Sequence, residues 1–210
     1  MNMEFEKLRP EEIERRSFEI IENELPYQLD PEFAPIIKRV IHTTADFDYA
    51  KALCFSKTAI SAGLGALRAG ERIVTDTNMA KAGINKPALA VLQTEVLCFM
   101  ADEDVASIAK QSDSTRAAAS MDKAASLPGH PIFVIGNAPT ALIRLYELIN
   151  KGCISPSLII SVPVGFVNVV QSKELIMQTD IPYIVARGRK GGSNVAAAIV
   201  NALMYLITRA

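Results

Sequence analysis

The chain has no tryptophan, and only 6% of its 210 residues are aromatic. It therefore lacks the material for a stacking platform that binds unpaired bases. It has no basic excess either: 22 Lys and Arg stand against 23 Asp and Glu, a formal net charge of −1. Nucleic-acid binding leaves a footprint of surplus positive charge, so composition argues against that partner. Cysteine is scarce as well. Cys54, Cys98 and Cys153 are far apart, odd in number and form no C-x-x-C. That pattern points to reduced thiols rather than to a disulfide framework or a zinc site. Each lies among apolar neighbours and is expected in the core.

Long apolar runs are missing too. The first 24 residues are charged and hold no apolar core of a secretion signal. No stretch reaches the length of a membrane span, so the expected location is the cytoplasm, with no membrane contact. Cofactor motifs fail in turn. Gly63-Leu64-Gly65 lies in a helical stretch ahead of a strand, whereas a dinucleotide fingerprint must follow one. No G-x-x-x-x-G-K-[ST], H-E-x-x-H or G-x-S-x-G occurs, and two histidines make a catalytic zinc improbable. No resident cofactor or metal is expected.

What is present is apolar: half of the residues are hydrophobic. A chain of this length buries a real core without staples. The first third reads as helical. Pro10 followed by Glu11 and Glu12 opens a helix to Leu25. Phe33, Ile36, Ile37, Val40 and Ile41 follow the spacing of one buried helix face. Asp46 is a candidate cap for a further helix, and Ser56 or Thr58 for another that runs to Gly70. Short strand-like runs then appear at residues 72–75, 95–100, 132–135, 158–162 and 183–186. Between them lie helical stretches at 104–125, 140–150, 167–178 and 193–208. The alternation predicts βαβ units and a mostly parallel sheet in one three-layer α/β/α domain over residues 1–210, helical up to 70 and βα-repeated from 71.

The strand ends carry the unusual residues: Asp76-Thr77-Asn78-Met79, Gly136-Asn137-Ala138-Pro139-Thr140, Pro163-Val164-Gly165-Phe166 and Arg187-Gly188-Arg189-Lys190-Gly191-Gly192-Ser193. In an open parallel sheet these turns share one edge, where ligands bind. Glycines admit a ligand close to the backbone, and helix starts offer N–H groups to anions. Ordinary βα turns use the same residues. Arg39, Arg116, Arg187 and Arg189 are candidates for binding carboxylates in bidentate fashion, or are solvated surface charges. His42 falls at a helix C-terminus, where the carbonyl dipoles favour imidazolium; it reads as an acid or as a helix-end residue. His130 precedes a strand, at the opposite edge, and reads as a loop residue.

Several of these runs resemble one family, the precorrin-8 methylmutases of corrin (vitamin B12) biosynthesis. They are Ile135-Gly136-Asn137-Ala138-Pro139-Thr140-Ala141-Leu142, Pro163-Val164-Gly165-Phe166-Val167 with Ser172-Lys173-Glu174, and Arg187-Gly188-x-x-Gly191-Gly192-Ser193. Arg15-Arg16-Ser17-Phe18, Arg39-x-x-His42, Asp76-Thr77-Asn78-Met79 and Thr115-Arg116 are similar as well, in order, from Arg15 to the last helix. The resemblance implies a flavodoxin-like fold and a homodimer with active sites near the subunit interface. It implies an isomerase that moves a methyl group from C-11 to C-12 of precorrin-8, or of its cobalt form, with no added methyl donor. In it His42 is the catalytic acid, and Ser17, Arg39 and Thr43 bind substrate. Asp76, Thr77, Arg116, Asn137, Gly165, Arg187, Gly191, Gly192 and Ser193 complete the expected corrinoid site. Cobalt enters, if at all, inside the substrate. The alternatives are a non-catalytic corrinoid carrier and a phosphate-binding enzyme that uses residues 187–193 as its anion loop.

Overall fold

The structure, a computed structural model, describes residues 6–209. It opens with α1 (Pro10–Glu24), α2 (Ala34–Thr44), α3 (Tyr49–Ala52), β1 (Leu53–Phe55) and α4 (Ala59–Arg68). Proline sits at the start of α1, where its missing N–H costs no helical bond. α2 buries Ile36, Ile37, Val40 and Ile41, the stripe its spacing predicts. It ends where Ala45 turns left-handed, at φ 52°. Asp46 Oδ1 accepts the Asp48 N–H at 3.0 Å and so holds the turn ahead of α3.

The strand–helix alternation follows: β2 (Ile73–Thr75), α5 (Asn78–Gly83), α6 (Lys86–Val91), β3 (Val96–Leu97), α7 (Glu103–Gln111), α8 (Arg116–Ala124), β4 (Ile132–Ile135), α9 (Pro139–Asn150), β5 (Leu158–Ser161), α10 (Val169–Ile176), β6 (Tyr183–Ala186) and α11 (Ser193–Thr208). Five expected strands are found, although the run at 95–100 keeps only two residues. Three points differ. β1 lies inside the stretch expected to be helical. α5 and α6 are helical turns with no strong periodicity of their own. The helix expected over 104–125 is two helices: Asp113 adopts φ 47°, and Thr115 Oγ1 accepts the Ala118 N–H to start α8.

The sheet order is β1-β6-β5-β4-β2-β3, all parallel except β1, which runs antiparallel to β6. Successive strand residues face opposite layers. Ile132, Val134, Leu158 and Ile160 pack with α1, α2, α4 and α11. Phe133, Ile135 and Ile159 pack with α8, α9 and α10. Burial on both faces explains why the central strands are runs rich in isoleucine, valine, leucine and phenylalanine. The result is the three-layer α/β/α architecture expected. Cys153, placed in the core on its apolar neighbours, is instead exposed, because it follows the C-terminal turn of α9; Cys54 and Cys98 are partly buried. No helix among the described residues is long and apolar enough to cross a membrane.

The helix after β2 packs on the first layer through Ala80, and the helix after β4 packs on the second through Leu142 and Leu145. Neighbouring parallel strands thus send their connections to opposite faces. β2 and β4 flank the switch point of the sheet, where a crevice opens at the strands' carboxyl ends.

Candidate active site

Asp76, directly after β2, is fully buried. Its Oδ1 accepts the Gly136 N–H at 2.9 Å, and its Oδ2 accepts those of Asn137 at 2.8 Å and Ala138 at 2.6 Å. Burial pushes the Asp76 carboxyl above the usual carboxylate range, while the backbone donors work against that push. One side chain therefore locks the turns on both sides of the switch point. Thr77 joins a third element. Its Oγ1 accepts the Ala80 N–H to cap α5 and lies 2.8 Å from Ser193 Oγ at the start of α11. Gly136 lets α11 come this close: a Cβ there would sit 2.9 Å from Ser193 Cα.

The fourth strand end joins through the loop at 187–192. The Gly192 N–H donates to Val162 O at 2.9 Å, and the Gly165 N–H to Arg189 O at 3.1 Å. Gly191 has φ 157°, and a Cβ on it would lie 2.1 Å from Val162 O, so only glycine fits. Beneath the loop lies Lys173, 1% exposed. Its ammonium donates to Gly188 O at 2.8 Å and to Lys190 O at 2.9 Å. Burial pulls this ammonium down to about 8. From the outer side, Lys190 Nζ reaches Asp46 Oδ2 and Asp48 Oδ2, each at 2.6 Å. Those carboxylates hold the Lys190 proton more firmly than usual, and the ammonium in turn lowers Asp46. The loop is thereby tied to the chain just past α2.

His42 stands in the last turn of α2, exposed to solvent. Its ring meets the edge of Phe18 at 5.5 Å. With Arg39, Thr43, Gly83, Asn194, Asn201 and Tyr205 it lines an open concavity of about 300 Å³ between α2 and α11. Larger hollows, of about 590, 640 and 360 Å³, lie elsewhere, against the α1–α2 connection, between the α7–α8 turn and α9, and beside residues 70–72 and 93–95. They share no lining residue with the His42 groove.

The structure thus brings together Asp76, Thr77, Asn137, Gly165, Gly191, Gly192 and Ser193, while His42 and Thr43 line the α2–α11 groove, to which Asn194, the residue after Ser193, also contributes. Five other candidates, Arg39, Ser17, Arg116, Arg187 and Arg189, stand differently. Arg39 is not a free guanidinium: it pairs with Glu14, lies 4.8 Å over the Phe18 ring, and holds the Glu14 carboxyl below its usual range. Ser17 turns its hydroxyl back to Ile13 O at 2.8 Å, and Thr43 bonds Arg39 O at 2.9 Å, as helical hydroxyls do. Arg116 is exposed on α8, next to Thr115, which donates to Thr140 at 2.8 Å. Arg187 and Arg189 are exposed on the loop, and Arg189 lies 5.4 Å from the Phe166 ring centre. His130 sits before β4, its Nδ1 2.8 Å from Ser155 O, at the far edge.

Lys173 was not among the expected site residues, although a signal existed. It occupies one position of the Val169, Ser172, Lys173, Ile176 stripe that α10 buries, and a lysine on such a stripe must find acceptors. Asn194, Asn201 and Tyr205 carried no such mark. They read as the polar side of an apolar helix.

Comparison with known proteins decides the family. The model of the precorrin-8X methylmutases matches residues 12–206. The chain belongs to the precorrin-8X methylmutase family. The cobalt-precorrin-8 methylmutase of Salmonella typhimurium is 46% identical over 209 residues, covering 96% of this chain and 98% of that one. The corresponding protein of Leptospira interrogans is 45% identical over 94% of each chain. A crystal structure of the Thermus thermophilus precorrin-8X methylmutase superposes with a TM-score of 0.86 at 39% identity, over 94% of this chain and 98% of that one. Every signature run quoted above lies within the matched residues.

Proposed function

We propose that the chain is a methylmutase of cobalamin biosynthesis, an isomerase that moves a methyl group from C-11 to C-12 of a precorrin-8 macrocycle to give hydrogenobyrinate, or cobyrinate from the cobalt form. Family membership supports the class of reaction. The observation that carries the residue-level reading is the junction of His42 and the glycine loop. The exposed imidazole in the last turn of α2 is tied to the glycine loop through Asp46, just past the helix, and Lys190 on the loop. Relatives named for the cobalt substrate are 38–46% identical, and those named for precorrin-8X are 40% and 32% identical. The five highest of these identities, 41–46%, all belong to relatives named for the cobalt substrate, and that favours the cobalt form.

The migration breaks one carbon–carbon bond and makes another within the same conjugated ring, so no second reactant has to be held. Protonation draws electron density from the ring and lowers the barrier, a contribution of about 10²–10⁴-fold for one positioned acid. His42 is that acid in this reading. In a metal-free ring the proton goes to a ring nitrogen; in the cobalt ring those nitrogens hold the metal. The free N–H groups and the guanidiniums of Arg187 and Arg189 receive peripheral carboxylates. Arg39, already paired with Glu14, keeps the α1–α2–α11 wall of the groove together. The groove is open and His42 exposed, so a second copy of the chain closes it in the dimer implied by the family resemblance.

The test is an absorbance scan of the purified chain mixed with precorrin-8, metal-free and cobalt-containing in parallel. A shift to the product chromophore is expected, faster with cobalt. Bound substrate with an unchanged chromophore in both would leave a corrinoid carrier in place of an enzyme.

A further inference from the structure

Lys173 is costly to keep. An ammonium 1% exposed has lost its water, and a lysine so placed survives only where other acceptors replace it. No carboxylate among the described residues is its partner. It spends its protons on two main-chain oxygens, Gly188 O and Lys190 O, which flank Arg189. A trans peptide unit points its C=O and N–H in opposite directions. Pinning Gly188 O and Lys190 O inward therefore aims the N–H groups of Arg189 and Gly191 outward, away from Lys173. Gly188, at φ 78°, and Gly191, at φ 157°, supply the backbone freedom that this alternation needs. Neither of those N–H groups donates to a protein acceptor among the described residues. Two outward N–H groups, on alternate residues of such a turn, can hold an anion between them. Here they lie on a loop that carries two exposed guanidiniums, Arg187 and Arg189.

We propose that Lys173 is a positioning residue, whose buried ammonium shapes the 187–192 loop into a receptor for one peripheral carboxylate of the macrocycle, held by the Arg189 and Gly191 N–H groups. The inference rests on the corrinoid reading above and deepens it. Lys173 touches no substrate; it acts through the loop. It also places positive charge behind the two N–H groups, and that favours an anion in front of them.

The experiment compares two corrinoids: cobyrinic acid, whose side chains are carboxylates, and cobinamide, whose ring side chains are amides. Absorbance titration of the whole chain gives both affinities. In Lys173→Met, cobyrinic acid should bind about tenfold or more weakly, the loss of one charge-assisted hydrogen bond. Cobinamide affinity should stay unchanged, and turnover should show the loss in KM rather than in kcat. Lys173→Arg should restore part of the preference for the acid. A folded Lys173→Met with unchanged affinity for the acid, or with equal loss for both corrinoids, overturns the inference. A second measurement needs no variant. The amide resonances of Arg189 and Gly191 should move on addition of cobyrinic acid and stay still with cobinamide. Binding of the acid with both amides unmoved overturns the inference alone, whereas an unaltered chain that binds neither corrinoid overturns the proposed function as well.

Discussion

Lys190 Nζ lies 2.6 Å from Asp46 Oδ2, across 144 positions of sequence, and joins the glycine loop after β6 to the chain two residues past the His42 helix. The bond is exposed, with Asp48 as a second acceptor at 2.6 Å. An exposed ion pair does little for global stability and is weakened by salt. It still ties the loop to the turn after α2. Lys190→Ala should leave the melting temperature nearly unchanged while the amides of Gly192 and Gly165, which bond Val162 O and Arg189 O, exchange faster with solvent. Molar salt should do the same to the unaltered chain. Equal exchange in both proteins would show that Lys173 and the glycine contacts hold the loop without Lys190.

Asp76 offers a sharper case. Both of its oxygens accept backbone N–H groups, two of them at Oδ2. Asp76→Asn keeps the shape but can turn only one oxygen toward three donors, so at least one N–H faces an amide NH₂. A buried donor left unpaired costs about 1–3 kcal/mol. Urea unfolding of the variant should show a loss of that size. An unchanged midpoint would mean that the turns at 76 and 136–138 are held by something else.

The pH dependence of stability follows from Lys173. Its folded-state value is about 8, against an ordinary lysine value of 10.5. Below pH 8 both the folded and unfolded chains carry the proton, and the cost of burying it is paid in full. Between those values the unfolded chain binds the proton more strongly, so stability from this residue rises with pH. Relative to Lys173→Met, the unaltered chain should gain unfolding free energy from pH 8 to 10. A difference that stays flat or shrinks over that range would contradict it.

His42→Ala should fold normally, because the ring is exposed and its protein contact is the edge of Phe18. Turnover of the methylmutase reaction should fall by about 10²–10⁴-fold, the usual contribution of a general acid, with corrinoid affinity largely kept. Full activity would remove His42 from the mechanism.

The sheet was legible in sequence where its strands are buried on both faces. Ile132–Ile135 and Leu158–Ile160 are short apolar runs with no polar face to mislead. β1 was not, since Leu-Cys-Phe is too short to show a period and sits between helices. The break between α7 and α8 was hidden because both sides continue a helical pattern; a left-handed Asp113 and the Thr115 cap end it. At the candidate site, the glycine and Asp76 turns were readable as strand-end punctuation. The pairing of Arg39 with Glu14, 25 residues earlier, was not, nor was the burial of Lys173 beneath a loop 15 residues on. Those contacts depend on which faces of distant helices meet.

One consequence of the strand order concerns association rather than catalysis. The outermost strands are short: β1 has three residues and β3 has two. An exposed strand is a template on which another chain can extend the sheet, and its hold grows with the number of rungs. These margins offer a newcomer very few. The long, apolar strands that would seed fibres lie in the middle, already paired on both sides. Crowded together in solution, copies of this chain have little sheet to share, and any stable pairing between them must be made by helices and turns.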